Sequence, residues 1–414
     1  MTSLSDLTRT FARIGILSFG GPAAQIALMH RTLVDEKKWL TEKDYLSALS
    51  FCMLLPGPEA MQLATWSGWR LHGTLGGLIA GLLFVLPGAA VVLALAATYA
   101  AYGQLPLVGA PFTGVQAAVV VVVIEALMRV GKRALKSRAA YALAALAFAA
   151  LFFMNLPFPV IILGAGLYGW LTTTATATDL PPPPRAAHTA RTVAIWLVVW
   201  LAPLAALALL DGGLLAEIGI FFSKLALLTF GGAYAVLAWM AQDVVQAKGW
   251  LTLREMIDSL GMAETTPGPL ILVTEFVAYL AAHKQGGWLY GVAGAATALW
   301  MTFAPCFLWI FAGAPWLARI TATPRLAGAL NAIMAAVVGV IANLSLWFAL
   351  HVFFATVSVA TLGPLRLTLP DPTTLNLAQL AIALLCGWLL LRRHWNLPLV
   401  LGLAALAGAA ISLI

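Results

Sequence analysis

A chain of 414 residues that is 62% hydrophobic and 9% charged, with mean hydropathy +0.94, has too little polar surface to cover a soluble globule. Its apolar stretches approach or exceed the ~20 residues a helix needs to cross the hydrocarbon, without the alternation of barrel strands, so the fold class is an all-α integral membrane protein. The net charge of +7 falls mostly in short loops, as on the cytoplasmic side of a membrane protein, and does not point to nucleic acid.

Thirteen membrane elements follow in order. The first, Leu7 to Arg31, is followed by a polar connection, Thr32 to Asp44. The second, Tyr45 to Trp69, is interrupted by Pro56-Gly57-Pro58, and a turn with Arg70 and His72 leads to the third, Thr74 to Tyr99. The fourth is Phe112 to Val130. After it come Lys132, Arg133, Lys136 and Arg138 with no acid among them, which marks a cytoplasmic loop. The fifth and sixth, Tyr141 to Asn155 and Pro157 to Leu171, are short enough for a tight hairpin.

Thr172 to Thr192 is a linker whose four prolines, Pro181 to Pro184, favour extended polyproline structure. It separates an N-terminal part, residues 1–174, from a C-terminal part, residues 193–414. The seventh element is Val193 to Leu210. Ala216 to Met240, Met256 to Ala282 and Trp288 to Trp316 are the eighth to tenth. Leu326 to Trp347, Leu375 to Leu391 and Trp395 to Ile414 complete the set, and His351 to Thr374 reads as an extramembrane excursion at its Pro-rich end.

The first apolar stretch carries Arg13 and runs into Gly-Gly-Pro rather than a cleavage site, so it is expected to insert and remain. Cys52, Cys306 and Cys386 are scattered in apolar stretches, and the six histidines form no metal-spaced pair. No metal or cofactor is expected. Nor is an enzyme, since the chain has no His-Glu-x-x-His motif, no Gly-x-Ser-x-Gly motif and no paired aspartates.

One stretch occurs twice. Shifted by 211 positions, Phe222 to Pro269 lies on Phe11 to Pro58 without a gap, with 17 of 48 positions identical. Phe19-Gly20-Gly21 meets Phe230-Gly231-Gly232, Trp39-Leu40-Thr41 meets Trp250-Leu251-Thr252, and Pro56-Gly57-Pro58 meets Pro267-Gly268-Pro269. Such a register marks an internal duplication. Seven elements separate the two starts, and an odd number makes the repeats inverted in the membrane, the arrangement of many secondary transporters. With the N-terminus cytoplasmic, the basic groups fall inside, Asp211 falls outside, and the C-terminus is periplasmic or extracellular in a plasma (inner) membrane. A re-entrant hairpin at either interruption would change that count.

Glycine pairs in an apolar helix can simply let helices approach closely. Here each pair follows a hydroxyl, Ser18 or Thr229, and the first precedes Pro22, which removes a backbone donor. Broken helices at membrane depth are tolerated where they line a cavity, and their free N–H groups bind anions. Each Pro-Gly-Pro either kinks a helix or starts a second half-helix, at Glu59 or Leu270, whose N-terminus faces a shared cavity.

Arg13 and Lys224 are equivalent by the repeat, each seven positions before the first glycine of its Gly-Gly pair. They either snorkel to the interface or form a basic pair that favours an oxyanion. Glu59 follows Pro58, Glu264 precedes Pro267 by one turn with Thr265 and Thr266 between, and Glu275 lies two turns beyond. These acids either pair with Arg13, Lys224 or Arg70 or carry protons. Glu125 with Arg129 reads as a structural pair at i, i+4.

The stretch FGGPAAQIALMHRTLVDEKKWLTEKDY, followed by LLPGPEAMQLATWSGWRLHGTLGGLIAGLLFVLPG, resembles the chromate ion transporter family in its long two-domain form. The second copy, FGGAYAVLAWMAQDVVQAKGWLTLREM with ETTPGP, resembles that family's C-terminal domain. The resemblance implies efflux of chromate, with sulfate a similar tetrahedral dianion, and chromate resistance. By position it makes candidates of Arg13, Gly20, Gly21, Pro22, Pro56, Gly57, Pro58 and Glu59, with Lys224, Gly231, Gly232, Glu264, Pro267, Gly268 and Pro269. Ala233 stands where the first copy has Pro22, and Leu270 where it has Glu59, so the site departs from strict symmetry. The expected partners are chromate or sulfate and the lipid bilayer, with a homodimer one assembly open to it. An oxyanion or chloride channel built on the same broken helices, or a sulfate uptake transporter, is the alternative.

Overall fold

The computed structural model describes residues 2–19, 21–103, 105–174, 186–210, 212–230, 233–363 and 365–411. Gly20, Gly231, Gly232, Asp211 and the Pro181 to Pro184 run lie outside these described residues, as does the side chain of Thr265.

Helices dominate. In chain order they are α1 (Leu4–Leu17), α2 (Gly21–His30), α3 (Glu42–Cys52), α4 (Glu59–Tyr102), α5 (Pro106–Ala134), α6 (Arg138–Phe152), α7 (Phe158–Thr172), α8 (Ala186–Leu210), α9 (Leu214–Leu228), α10 (Ala233–Gln242), α11 (Leu253–Thr265), α12 (Val273–Gly313), α13 (Leu317–Thr321) and α14 (Pro324–Phe353). A hairpin of β1 (Val357–Leu362) and β2 (Leu365–Pro370) follows, then α15 (Leu377–Gly387) and α16 (Leu397–Ile411). Five segments among the described residues are long and apolar enough to cross a membrane: Glu59–Tyr102, Gly109–Ala134, Ala187–Leu210, Leu270–Thr321 and Pro324–Phe353. Four shorter apolar helices accompany them, and together they make a multi-pass membrane protein.

The first expected element is two helices, because the chain leaves helical geometry between Leu17 and Gly21. The second is divided likewise at Pro56-Gly57-Pro58, between α3 and α4. Its later part joins the third through one sharp turn, at His72 (φ −137°, ψ 28°) and Gly73 (φ 61°, ψ −154°). The two arms of α4 then fold back so closely that a Cβ on Gly68 would lie 2.2 Å from the Gly76 carbonyl oxygen. The second copy repeats the turn in α12, at Gly286 (φ −136°, ψ 16°) and Gly287 (φ 72°, ψ −165°).

The connection Thr32 to Asp44 begins as a π-helical turn, Arg31–Glu36, and the second copy has its counterpart at Asp243–Ala247. Each ends with a lysine over the tryptophan two residues on: Lys37 over Trp39 at 5.6 Å and Lys248 over Trp250 at 4.9 Å. The hairpin is the one departure from helix among the described residues, where the sequence suggested only an excursion. Val357, Val359 and Thr361 are β-branched residues on one face of β1, Gly363 turns at φ 62°, and Arg366 N–H donates to Phe153 O at 2.7 Å.

The chain forms two compact units, each drawing on both halves of the sequence. One comprises Met1–Ala100, Thr174–Ala233 and Met262–Ala327; within it α12 packs against α8 and α9. The other comprises Ala101–Thr173, Tyr234–Gly261 and Gly328–Ile414; within it α15 and α16 pack on α5. In this second unit the backbones meet through small residues: a Cβ on Gly114 would fall 1.8 Å from Ala404 O, and one on Gly339 2.1 Å from Ala144 O.

Candidate functional site

All the motif residues that come together do so in the first unit. Helix α1 is capped by Ser3, whose side chain accepts from Asp6 N–H, and ends at Ser18. The Ser18 hydroxyl donates back to Ile14 O at 2.6 Å, and Phe19 N–H donates to Leu17 O. The end of α9 is built identically: Thr229 donates to Leu225 O at 2.6 Å and Phe230 N–H to Leu228 O. Each break therefore releases the backbone carbonyl of the hydroxyl residue from its helix.

Those carbonyls are taken by the opposite copy. Gly268 N–H donates to Ser18 O at 2.8 Å, and Gly57 N–H donates to Thr229 O at 2.8 Å. In each Pro-Gly-Pro the glycine supplies the one N–H between two residues that have none, and that N–H ties the motif to the other repeat's break. Gly57 sits at φ 120° and Gly268 at φ 91°, a region side chains avoid. Space is short as well. A Cβ on Gly57 would lie 2.8 Å from Gln62 Nε2 and 2.9 Å from Cys306 Sγ, and one on Gly268 2.9 Å from Leu272 Cδ1. Gly88 in α4 closes the second turn, where a Cβ would lie 2.3 Å from Pro267 O.

Beside this crossing lies a small cleft lined by Pro22, Gln25, Pro58, Glu59, Ala60, Pro269, Leu270 and Ile271. Pro22 is in the first turn of α2, Glu59 and Ala60 open α4, and Leu270 and Ile271 form the 3₁₀ turn that leads into α12. Three helix starts thus meet one cleft. The first N–H groups of a helix have no partner within it and carry its positive dipole end.

Gln25 is the most constrained polar group there. It is 1% exposed, and its Nε2 donates to Gly268 O at 2.6 Å and reaches Ser18 O at 3.4 Å. Both neighbours are carbonyls, which fixes the amide orientation. Oε1 is left buried and without a hydrogen-bond partner among the described residues. Gln62 repeats the pattern in α4, with Nε2 donating to Pro56 O at 2.7 Å and Oε1 buried and unpartnered among the described residues.

The remaining candidates lie elsewhere. Arg13 is exposed and lines a separate cleft with Ile14, Leu17, Leu28, Arg31, Thr32 and Glu36, where Arg31 Nε is 3.5 Å from Glu36. Lys224 is exposed on α9, and neither cation lines the cleft at the turns. Thr266 is buried and donates to Ala263 O at 3.0 Å. Glu264 closes α11 and Glu275 is 1% exposed in α12; neither lines the cleft. The two glutamines escaped the sequence reading because the repeat offers no counterpart: Val236 and Val273 occupy the equivalent positions. Their signal was an amide on an apolar helix, Gln25 three residues after Pro22 and Gln62 four after Pro58.

The sequence pattern of chromate transporters matches residues 5–170 and 216–409, and so covers both copies of the repeat. The chain belongs to the chromate transporter family. Among curated relatives, the probable chromate transport protein of Synechococcus elongatus is 31% identical over 98% of this chain and 95% of its own. The chromate transport protein of Cupriavidus metallidurans is 30% identical over 82% of this chain and 81% of its own, and that of Pseudomonas aeruginosa 33% over 82% and 79%. No solved structure matches the chain. The residues that match the chromate transporter family include both Gly-Gly pairs and both Pro-Gly-Pro motifs.

Proposed function

We propose that this chain is a secondary active transporter that exports chromate from the cytoplasm by alternating access between two inverted repeats, and so confers chromate resistance. The oxyanion binds at the cleft where α2, α4 and the turn before α12 begin. The observation that carries this is the convergence of those three helix starts beside the reciprocal Gly57–Thr229 and Gly268–Ser18 hydrogen bonds. Free N–H groups at helix starts suit a tetrahedral oxyanion, and the relatives named as chromate transport proteins supply its identity. On shape and charge alone sulfate fits as well as chromate.

Arg13, with Arg31 beside it, is exposed and serves as an approach station for anions rather than as part of the inner cleft. Glu59 at the cleft, with Glu264 and Glu275 on the flanking helices, carries the coupling protons or gates the path. The protein resides in the plasma (inner) membrane with its N-terminus in the cytoplasm. Chromate uptake into inverted vesicles under an imposed pH gradient and clamped voltage tests the coupling. A transporter responds to the proton gradient and slows in Glu59→Gln and Glu264→Gln. Flux that follows the chromate gradient alone and ignores both substitutions identifies a channel instead.

A further inference from the structure

Donors and acceptors are mismatched for a bare dianion at the cleft. Helix starts offer N–H donors, but Glu59 contributes a carboxylate at the same place, and Gln25 contributes an amide whose Nε2 is already committed to Gly268 O. The Oε1 of Gln25, a residue 1% exposed, is a buried acceptor with nothing among the described residues to donate to it. An oxyanion with four bare oxygens has no hydrogen for that atom, and its second negative charge opposes Glu59. A singly protonated oxyanion suits the cleft better: three oxygens accept from N–H groups while its hydroxyl donates to Gln25 Oε1.

We propose that the cleft selects the protonated monoanion, hydrogen chromate, and reads its O–H through Gln25 Oε1, with Glu59 in its charged form repelling the dianion. The inference rests on the cleft being the oxyanion site proposed above. It also decides between anions of one shape. Hydrogen chromate is a weak acid that gives up its proton near neutrality, whereas hydrogen sulfate and hydrogen selenate are far stronger acids, so that sulfate and selenate are present there as dianions. An acceptor left unpaired by the wrong ligand is the strongest discriminating device a buried site has. The proton comes from solvent with the anion and leaves with it, and the exported species carries one negative charge that an inside-negative potential drives outward. Glu59 is the titratable group lining the cleft, and the Cys52 and Cys306 thiols flank the first turn. Arg13 and Arg31 face the other cleft.

The test uses the full chain in proteoliposomes with equal pH on both faces, clamped voltage, and chromate as substrate against selenate, which matches it in shape and charge but not in basicity. Selenate in hundredfold excess is expected to leave chromate uptake nearly untouched at pH 7.5. The KM for total chromate is expected to rise about tenfold per pH unit above neutrality and to level off at acid pH, as the competent fraction dictates. In Gln25→Met the chromate preference over selenate is expected to fall about tenfold. Glu59→Gln is expected to relax it as well, by removing the repulsion.

Chromate and selenate competing within about threefold of each other in the wild type would overturn selection of the monoanion, whatever the pH slope, because titration of a protein group affects both anions alike. That result requires no variant to fold, and it leaves the oxyanion site standing. Absence of saturable chromate uptake in the wild type would instead remove the site and this inference together.

Discussion

At Gly57 and Gly268 the backbone leaves no choice of residue. Both sit at positive φ, both donate their N–H across the repeat, and both have side-chain atoms within 3.0 Å of where a Cβ would go. Gly57→Ala or Gly268→Ala is expected to cost about 1–2 kcal/mol in backbone strain alone and to lower chromate uptake, read by thermal unfolding in detergent and by vesicle flux. Gly88 is constrained differently, since Pro267 O is backbone and cannot swing away. Gly88→Ala is expected to cost about 1–3 kcal/mol as overpacking and to displace the second turn. The control is Gly164 in α7, where a Cβ would meet nothing within 4 Å. Gly164→Ala is expected to leave uptake unchanged and to raise stability slightly, since alanine favours helix by about 1 kcal/mol.

Helices in this protein are defined as much by where they stop as by where they run. In the second unit α11 is held to α5 by Asp258, 1% exposed, which accepts from Gln116 Nε2 at 2.8 Å while Arg254 Nε stands 3.9 Å from its other oxygen. Arg254 also donates to Gly109 O at 3.3 Å. Asp258→Ala strands the buried Gln116 amide and is expected to cost about 1–3 kcal/mol, measured against Gln116→Leu and the double variant. The β-hairpin gives a pH prediction of definite sign. Asp371 accepts from Thr373 N–H at 2.9 Å and from its hydroxyl at 2.7 Å, and these bonds hold its carboxyl below the usual range. A depressed carboxyl contributes order above its unfolded value and loses it as pH falls through the folded one. The protection of the Thr373 N–H, measured as its exchange rate relative to the intrinsic rate at the same pH, is therefore expected to be greatest at neutral pH and to fall below about pH 4, and Asp371→Ala should remove that dependence.

Across the whole molecule, coupled export predicts that chromate uptake into inverted vesicles follows an imposed pH gradient at clamped voltage, and that double alanine at Arg13 and Lys224 slows uptake more at low ionic strength than at high, since both cations are exposed. The sequence alone determined the class and the duplication. An apolar composition leaves no soluble alternative, and Pro-Gly-Pro removes two backbone donors, so the break at Cys52–Glu59 was legible, while that at Leu17–Gly21 was marked by a Gly-Gly pair followed by Pro22. Only the tertiary structure decided which break meets which. A repeat read along the chain suggests a cavity shared by the two copies but not which groups pair across it: each Pro-Gly-Pro glycine bonds to the other copy's Ser18 or Thr229 carbonyl, and each compact unit takes segments from both halves. Charge was the poorer guide to the cleft, because Arg13 and Lys224 remain at the surface while a neutral amide, Gln25, is buried at the crossing. The reason is the cost of desolvation: in a low-dielectric interior an amide that can satisfy freed carbonyls is cheaper to bury than a cation, and no pattern in one strand of sequence records which carbonyls a fold sets free.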